Sequence, residues 1–381
     1  MKRYLVVVAV ALLSLALFWL PLLLKTKIFW GIDFRRAGME TIVQNFDGLN
    51  YLVVAKSMYN PVVITEKFAG LANPPIYYSA HFPLYPILIK VFDGLWSGPQ
   101  ALIVSIILSN ILLASGLYFF FATMLKNQKM AVMIAILALF LPARMLSVRG
   151  VGASEPLFMF FILGSLAMAY KGKHYSAAIL GSLAVVCRSP GIFLFGAYFG
   201  AALVAYLRGA KEVVKTFVPY LMMPLALVLV FTLYSLQLGN FWAYFNGSSE
   251  LHPVFFPPFL IFSNMQKWIS DMWREDIFYT YLVYGIGIIA YARRVWSEKE
   301  FGKLAVAVYG IFYAVILLNV SHRDLARYAL PLAPIMLLGY EKYLSRTSLK
   351  WMLILVLPIY LMGWQFVLAN VQAVADWTPF L

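Results

Sequence analysis

Apolar residues run through this chain in blocks of about twenty, each closed by a short polar or basic segment. Such a block spans roughly 30 Å of hydrocarbon as a helix rising 1.5 Å per residue, whereas a membrane barrel shows alternating strands of about ten residues. The pattern predicts a first helix over Tyr4–Leu24, directly after Met1-Lys2-Arg3. That run is long, and no small-residue cleavage site follows it before Lys25, so it reads as a membrane helix rather than a signal peptide. Further helices are predicted near 100–125, 130–148, 152–170, 175–187, 190–207, 216–238, 277–292, 304–320, 328–341 and 351–369, about eleven in all. The 175–187 block is too short to cross by itself. Long segments over 25–98 and 239–276 interrupt the series. The expected fold class is an all-α polytopic membrane protein.

Composition agrees. Of 381 residues, 63% are hydrophobic and 12% charged, and the mean hydropathy is +0.82. Soluble domains carry roughly 45–50% apolar and about 25% charged residues, so a soluble globule, a disordered chain and a disulfide scaffold are excluded. Cys187 stands alone, which rules out an intrachain disulfide. A net charge of +14 would suit nucleic acid, but in a membrane protein cytoplasmic loop bias and anionic headgroups account for it, and no nucleic-acid partner is expected. With the N-terminus in the cytoplasm, 16 of the 30 Lys and Arg residues fall on that side. Arg144, Arg149, Arg188, Arg323 and Arg327 fall on the short outer connections. Of the 16 acidic residues, 12 then face outward, which places any acid–base chemistry on the extracytoplasmic side, where nucleotide sugars are not normally available.

The 25–98 loop far exceeds what a helix connection needs. It is dense in Phe, Tyr, Trp and Pro, as suits short interfacial helices, and for most of its aromatics membrane anchoring is the simpler role. Asp47 differs. Between Phe46 and Gly48, against the membrane, desolvation is expected to raise its pKa toward the general-base range. An N-cap for the following helix is its plainer role.

Around Asp47 the chain becomes recognisable. Gln44-Asn45-Phe46-Asp47-Gly48-Leu49-Asn50-Tyr51-Leu52-Val53-Val54-Ala55-Lys56-Ser57-Met58-Tyr59 resembles the Trp-Asp motif of PIG-V-like mannosyltransferases, of the type of GPI mannosyltransferase II. His81-Phe82-Pro83-Leu84-Tyr85-Pro86 resembles that family's Phe-Phe-Pro-Leu-Tyr-Pro. Ser154-Glu155-Pro156-Leu157-Phe158, Arg188-Ser189-Pro190-Gly191 and Arg327-Tyr328 resemble three later pieces, in the same order, over roughly 45–330. Phe46, Met58, His81, Pro156 and Pro190 depart from the family pattern. The resemblance implies the GT-C glycosyltransferase fold. It also implies a polyprenyl-phosphate-sugar donor with mannose as its sugar, a glycan or glycolipid acceptor, and an active site on the extracytoplasmic face. The membrane would be the plasma membrane of a prokaryote or the endoplasmic reticulum membrane of a eukaryote.

In the implied reaction Asp47 accepts a proton from the acceptor hydroxyl as that oxygen displaces a lipid phosphate with inversion. The phosphate needs cations rather than an acid. Candidates are Arg188, Arg327, Arg323, Arg149 and Arg144, since charges at membrane helices are costly and usually functional. Arg327 is the first choice for the phosphate, because a guanidinium fork fits phosphate oxygens, and Arg188 and Arg323 follow. Against these stand a snorkelling role for Arg327 and carbonyl capping or pairing with Glu155 for Arg188. Glu155 is either a helix-dipole partner or an orienter of substrate or of Arg188. Tyr51, His81 and Tyr328 complete the expected substrate-binding set.

No Asp-x-Asp pair and no His-x-x-x-His spacing occurs, so neither a metal nor another cofactor is expected. Trp242, Tyr244, Trp268 and Trp273 with Asp271, Glu275 and Asp276 fit a sugar acceptor and an interfacial helix equally well. Asn246-Gly-Ser248 and Asn319-Val-Ser321 match the short glycosylation pattern. Residues 1–240 are expected to form a catalytic core and 241–381 a variable region. A lipid-linked-sugar flippase would explain the helices but not the long outer loop, and it predicts broken helices in matching halves. A protein O-mannosyl or lipid A aminoarabinose transferase would suit the same topology, although those families usually pair acids where Asp47 stands alone.

Overall fold

The computed structural model describes residues 2–71, 73–247, 259, 262, 270–298, 300–320, 322, 324–344, 351 and 353–381. The first apolar block forms α1 (Lys2–Leu23) and leads into a small hairpin of β1 (Ile28–Phe29) and β2 (Ile32–Asp33), antiparallel with Phe29 opposite Ile32. Trp30 and Gly31 make its two-residue turn, both at positive φ, as the twist of a tight hairpin demands. The rest of the long loop folds into α2 (Met39–Val43), α3 (Gly48–Ser57), α4 (Pro61–Lys67), a 3-10 turn over Pro75–Ala80, and α5 (Leu84–Asp93). Several of its aromatic residues are buried, among them Tyr51, Tyr59, Tyr78, Phe82 and Tyr85.

The helical body follows: α6 (Gly98–Met124), α7 (Gln128–Ala138), α8 (Arg144–Arg149), α9 (Glu155–Tyr170), α10 (His174–Cys187), α11 (Ile192–Leu207), α12 (Val213–Phe217), α13 (Met222–Leu238) and α14 (Ala243–Gly247). Beyond it lie α15 (Asp271–Val295), α16 (Phe301–Leu317), α17 (Leu325–Tyr328), α18 (Ala333–Gly339) and α19 (Val356–Ala369). At the centre α9 packs between α6 and α10, while α16 joins α11 to α15 and α9. Close approach is made by small residues: a Cβ on Gly339 of α18 would stand 1.8 Å from the Gly287 carbonyl oxygen of α15, so the two backbones touch directly.

Several expected helices are interrupted. The block at 130–148 divides into α7 and α8 around Pro142, whose ring supplies no amide hydrogen and clashes with the preceding turn. Pro219 and Pro331 likewise sit in 3-10 turns that break the 216–238 and 328–341 blocks. The block at 175–187 is a single helix of 14 residues. Among the described residues, Lys2–Leu23, Gly98–Met124, Ser189–Leu207 and Val213–Leu238 are long and apolar enough to cross a membrane, and several apolar helices of 10–17 residues accompany them.

Candidate functional site

The site is assembled from chain ends of helices. Phe46 precedes α3 in the left-handed backbone region, at φ 48°, a conformation costly for an aromatic residue. It turns the chain so that Asp47 occupies the N-cap position of α3 without capping it. Gly48 is then required: a Cβ there would lie 2.2 Å from the Val43 carbonyl oxygen. A Cβ on Gly152 would lie 2.7 Å from the Gly48 Cα, so this glycine pair brings the Asp47 turn against the segment entering α9. The turn is held from the other side as well. Asn45 is fully buried, donates to the Thr41 and Val367 carbonyls at 2.9 and 2.8 Å, and its backbone bridges to Val371 beyond α19.

The Asp47 carboxylate faces away from its own helix. Arg327 Nη2 donates to Oδ2 at 2.7 Å, and His81 Nε2 stands 3.6 Å from Oδ1. Arg327 Nε donates to Glu155 Oε1, and Arg188 Nη1 lies 2.8 Å from that same oxygen. Arg188 Nη1 also donates to Ser154 Oγ at 2.8 Å, and Ser154 Oγ shares a 2.6 Å hydrogen bond with the Tyr51 hydroxyl. Like Asp47, Ser154 is an N-cap residue whose side chain does not cap. Asp324 flanks the cluster, with Oδ2 3.8 Å from Arg327 and Oδ1 3.9 Å from Arg144. The Arg327 guanidinium lies 4.4 Å from the Phe46 ring centre, and that of Arg144 3.7 Å from Phe366. Arg327 and Glu155 are buried, whereas the Asp47 side chain retains 29% exposure and forms the open edge.

The expected rise in the Asp47 pKa is not observed. Burial does push the carboxyl up, but the Arg327 charge and the His81 ring outweigh it and hold the group well below the usual carboxylate range. Asp47 is therefore a stable anion flanked by a guanidinium.

Of the residues singled out in sequence, Asp47, His81, Tyr51, Glu155, Arg188 and Arg327 meet here. Tyr328 is half-buried on α17, its ring tilted against His322. Arg149 is elsewhere, fully buried among carbonyls and neutral side chains. Arg323, His252, Trp268 and the serines of both glycosylation patterns lie outside the described residues. From the 239–276 segment, Tyr244 donates to Ser189 Oγ at 2.9 Å, beside Arg188, while Trp242 is exposed. Sequence reading did not single out Ser154, Asp324 or Phe366. Asp324 had a signal, as an acid three residues before Arg327; Phe366 had none. Among the described residues no group of three His, Cys, Asp or Glu side chains is placed to hold a metal ion.

The sequence matches no protein-family model and no curated protein. Solved structures similar in fold include the following two. One is the archaeal oligosaccharyltransferase AglB from Archaeoglobus fulgidus, in complex with an inhibitory peptide and a dolichol-phosphate. It is 13% identical, with a TM-score of 0.56, covering 99% of this chain and 57% of that one. The other is the Archaeoglobus fulgidus oligosaccharyltransferase tethered to an acceptor peptide, 14% identical with a TM-score of 0.57, covering 98% of this chain and 56% of that one. The chain thus spans little more than half the length of these neighbours, and what it shares with them is the fold.

Proposed function

We propose that this chain is an inverting GT-C-type glycosyltransferase that moves a sugar from a polyprenyl-phosphate donor to a glycan or glycolipid acceptor, on the extracytoplasmic face of a membrane it crosses about eleven times. The observation that carries this reading is the convergence of Asp47, Glu155, Arg188 and Arg327, from four separated stretches of sequence, in one largely buried cluster. Neighbours of the same fold hold a dolichol-phosphate and an acceptor peptide, which supports a site for a lipid phosphate and an acceptor. Mannose, and a PIG-V-like subfamily, rest on the motif resemblance.

In this mechanism the acceptor hydroxyl gives up its proton to the Asp47 side of the site as its oxygen attacks the anomeric carbon and the bond to phosphate breaks. Direct displacement inverts the configuration. The phosphate leaves with the bonding electron pair, and fixed guanidinium groups stabilise the charge it gains without reorganising. Arg327 and Arg188 are both anchored on Glu155 Oε1, so Glu155 acts as the orienter. Arg144 is held more loosely, at 3.9 Å from Asp324, and has donors to offer an incoming phosphate oxygen. Tyr51 positions Ser154, and His81 and Tyr328 face the acceptor. Arg327 and Asp324 lie beyond residue 240, so in this reading the 241–381 region supplies part of the machinery alongside the 1–240 core.

The test is transfer in membranes containing the protein, supplied with labelled polyprenyl-phosphate-mannose, -glucose and -aminoarabinose. Transfer of one of these sugars to endogenous acceptor is expected, with a loss of at least about 10²-fold in Asp47→Asn. Equal turnover in that variant defeats the assignment, and movement of donor across the bilayer without transfer would identify a flippase.

A further inference from the structure

An anion held low by a guanidinium is a poor resting place for a proton, and the group beside Asp47 is an imidazole. His81 is buried, with 6% exposure, and its backbone is fixed by the Tyr59 hydroxyl, which donates to the His81 carbonyl at 2.6 Å. Its Nε2 side faces Asp47 Oδ1 at 3.6 Å. Catalytic hydrogen bonds are commonly long before substrate binds and tighten in the complex. The Asp47 charge favours a proton on Nε2, which leaves Nδ1 as a bare acceptor. That Nδ1 is buried and has no hydrogen-bond partner among the described residues. An unpaired buried acceptor is costly, and the cost is removed when a ligand donor fills it.

Tyrosines ring the imidazole. Tyr51 stands edge-on to the imidazole at 5.3 Å, and Tyr77 and Tyr78 lie at 5.6 and 6.3 Å. The titratable groups facing His81 are therefore Asp47 from the turn before α3, Tyr51 from α3, Tyr59 from the turn after it, and Tyr77 and Tyr78 from the 3-10 turn. Arg327 lies on the far side of Asp47.

We propose that Asp47 and His81 act as a carboxylate–imidazole dyad, with His81 Nδ1 as the final acceptor of the proton released by the acceptor hydroxyl. This rests on the glycosyl-transfer reading above. The acceptor O–H bond breaks with its proton passing to Nδ1, and its oxygen forms the new bond to the anomeric carbon. The anomeric carbon's bond to phosphate oxygen breaks, and the phosphate takes that electron pair. The imidazolium that results is stabilised by the Asp47 carboxylate and gives its proton to water after product leaves.

The discriminating variant is His81→Gln. Glutamine keeps a donor toward Asp47 and an acceptor on its other face, but has no affinity for the proton. The wild-type rate is expected to fall in an acid limb, where the proton acceptor is already protonated. His81→Gln should lower kcat by about 10²-fold and abolish that limb. Retention of the wild-type rate, or loss of rate with the limb intact, overturns the proposal and leaves His81 a packing residue. A second readout needs no substrate. In 15N-histidine-labelled protein in nanodiscs, the resonances missing from His81→Gln should show the Nε2–H tautomer, and that tautomer preference should be lost in Asp47→Asn. An Nδ1–H tautomer, or a tautomer indifferent to Asp47, overturns the dyad even where transfer is confirmed. Absence of any sugar transfer by wild type with the expected tautomer instead refutes the functional reading alone.

Discussion

Arg149 and Arg327 are both buried arginines in the same helical body, and they are kept there by opposite means. Arg149 donates from Nε to the Leu139 carbonyl at 3.0 Å, from Nη1 to the Ala11 carbonyl and Asn110 Oδ1 at 3.2 and 3.1 Å, and from Nη2 to Ser14 Oγ at 2.5 Å. All of these partners are neutral, and they tie α1, α6, α7 and α8 together. Arg327 instead faces three carboxylates, of Asp47, Glu155 and Asp324. Burial of a cation is therefore no mark of function by itself. A guanidinium saturated by carbonyls is a staple, whereas one that gathers carboxylates at an open edge concentrates exchangeable charge where a phosphate or hydroxyl can enter.

The two arginines should diverge most under replacement by lysine. In Arg327→Lys an ammonium cannot bridge Asp47 and Glu155 with the same fork, so sugar transfer should drop by on the order of 10²–10³-fold, measured at equal amounts of folded protein. The equivalent Arg149→Lys should leave transfer per folded molecule near wild type. If both lose activity alike, the distinction between staple and site fails.

Arg149→Met addresses the staple directly. It leaves Asn110 Oδ1 without its donor and takes one partner each from Ser14 Oγ and two carbonyls, although Ser14 Oγ still donates to the Ala11 carbonyl, and should cost about 3 kcal/mol in denaturation of the detergent-solubilised protein. A change within about 0.5 kcal/mol would show that those carbonyls find other partners.

A weaker signature is expected in the pH dependence of stability. The folded Asp47 carboxyl lies below its unfolded value, so the stability it contributes is fully present above the unfolded pKa and is lost only as pH falls through the depressed one. The Asp47 contribution to the melting temperature should therefore be constant between about pH 8 and 5, so Asp47→Asn should shift the melting temperature there by a fixed amount, and the gap to wild type should close only on the strongly acidic side. An Asp47-dependent loss near neutrality would mean the carboxyl is not held by Arg327.

Much of the site was legible because its residues sit at helix ends beside glycine and proline, where a short motif carries information: Asp47 before Gly48, Glu155 before Pro156, Arg188 before Ser189-Pro190. Their chemistry was less legible. Desolvation is foreseeable from an apolar neighbourhood and predicted a raised Asp47 pKa. The compensating guanidinium arrives from 280 residues away, and no local pattern announces it. Phe366, under Arg144, belongs to an apolar stretch that looks like any other membrane helix.

The alternation of apolar blocks and basic connections determined by itself that this chain is a helical membrane protein, because hydrocarbon admits long backbone segments only when each one satisfies its own hydrogen bonds. Where those helices break was also written locally, in prolines that cannot continue a turn. Which arginine became a staple and which joined the carboxylates was decided by tertiary structure alone. Charge compensation depends on distance in space, and the Gly48–Gly152 contact, together with the clamp of Asn45 against α19, sets the distances that bring Asp47, Glu155 and Arg327 together.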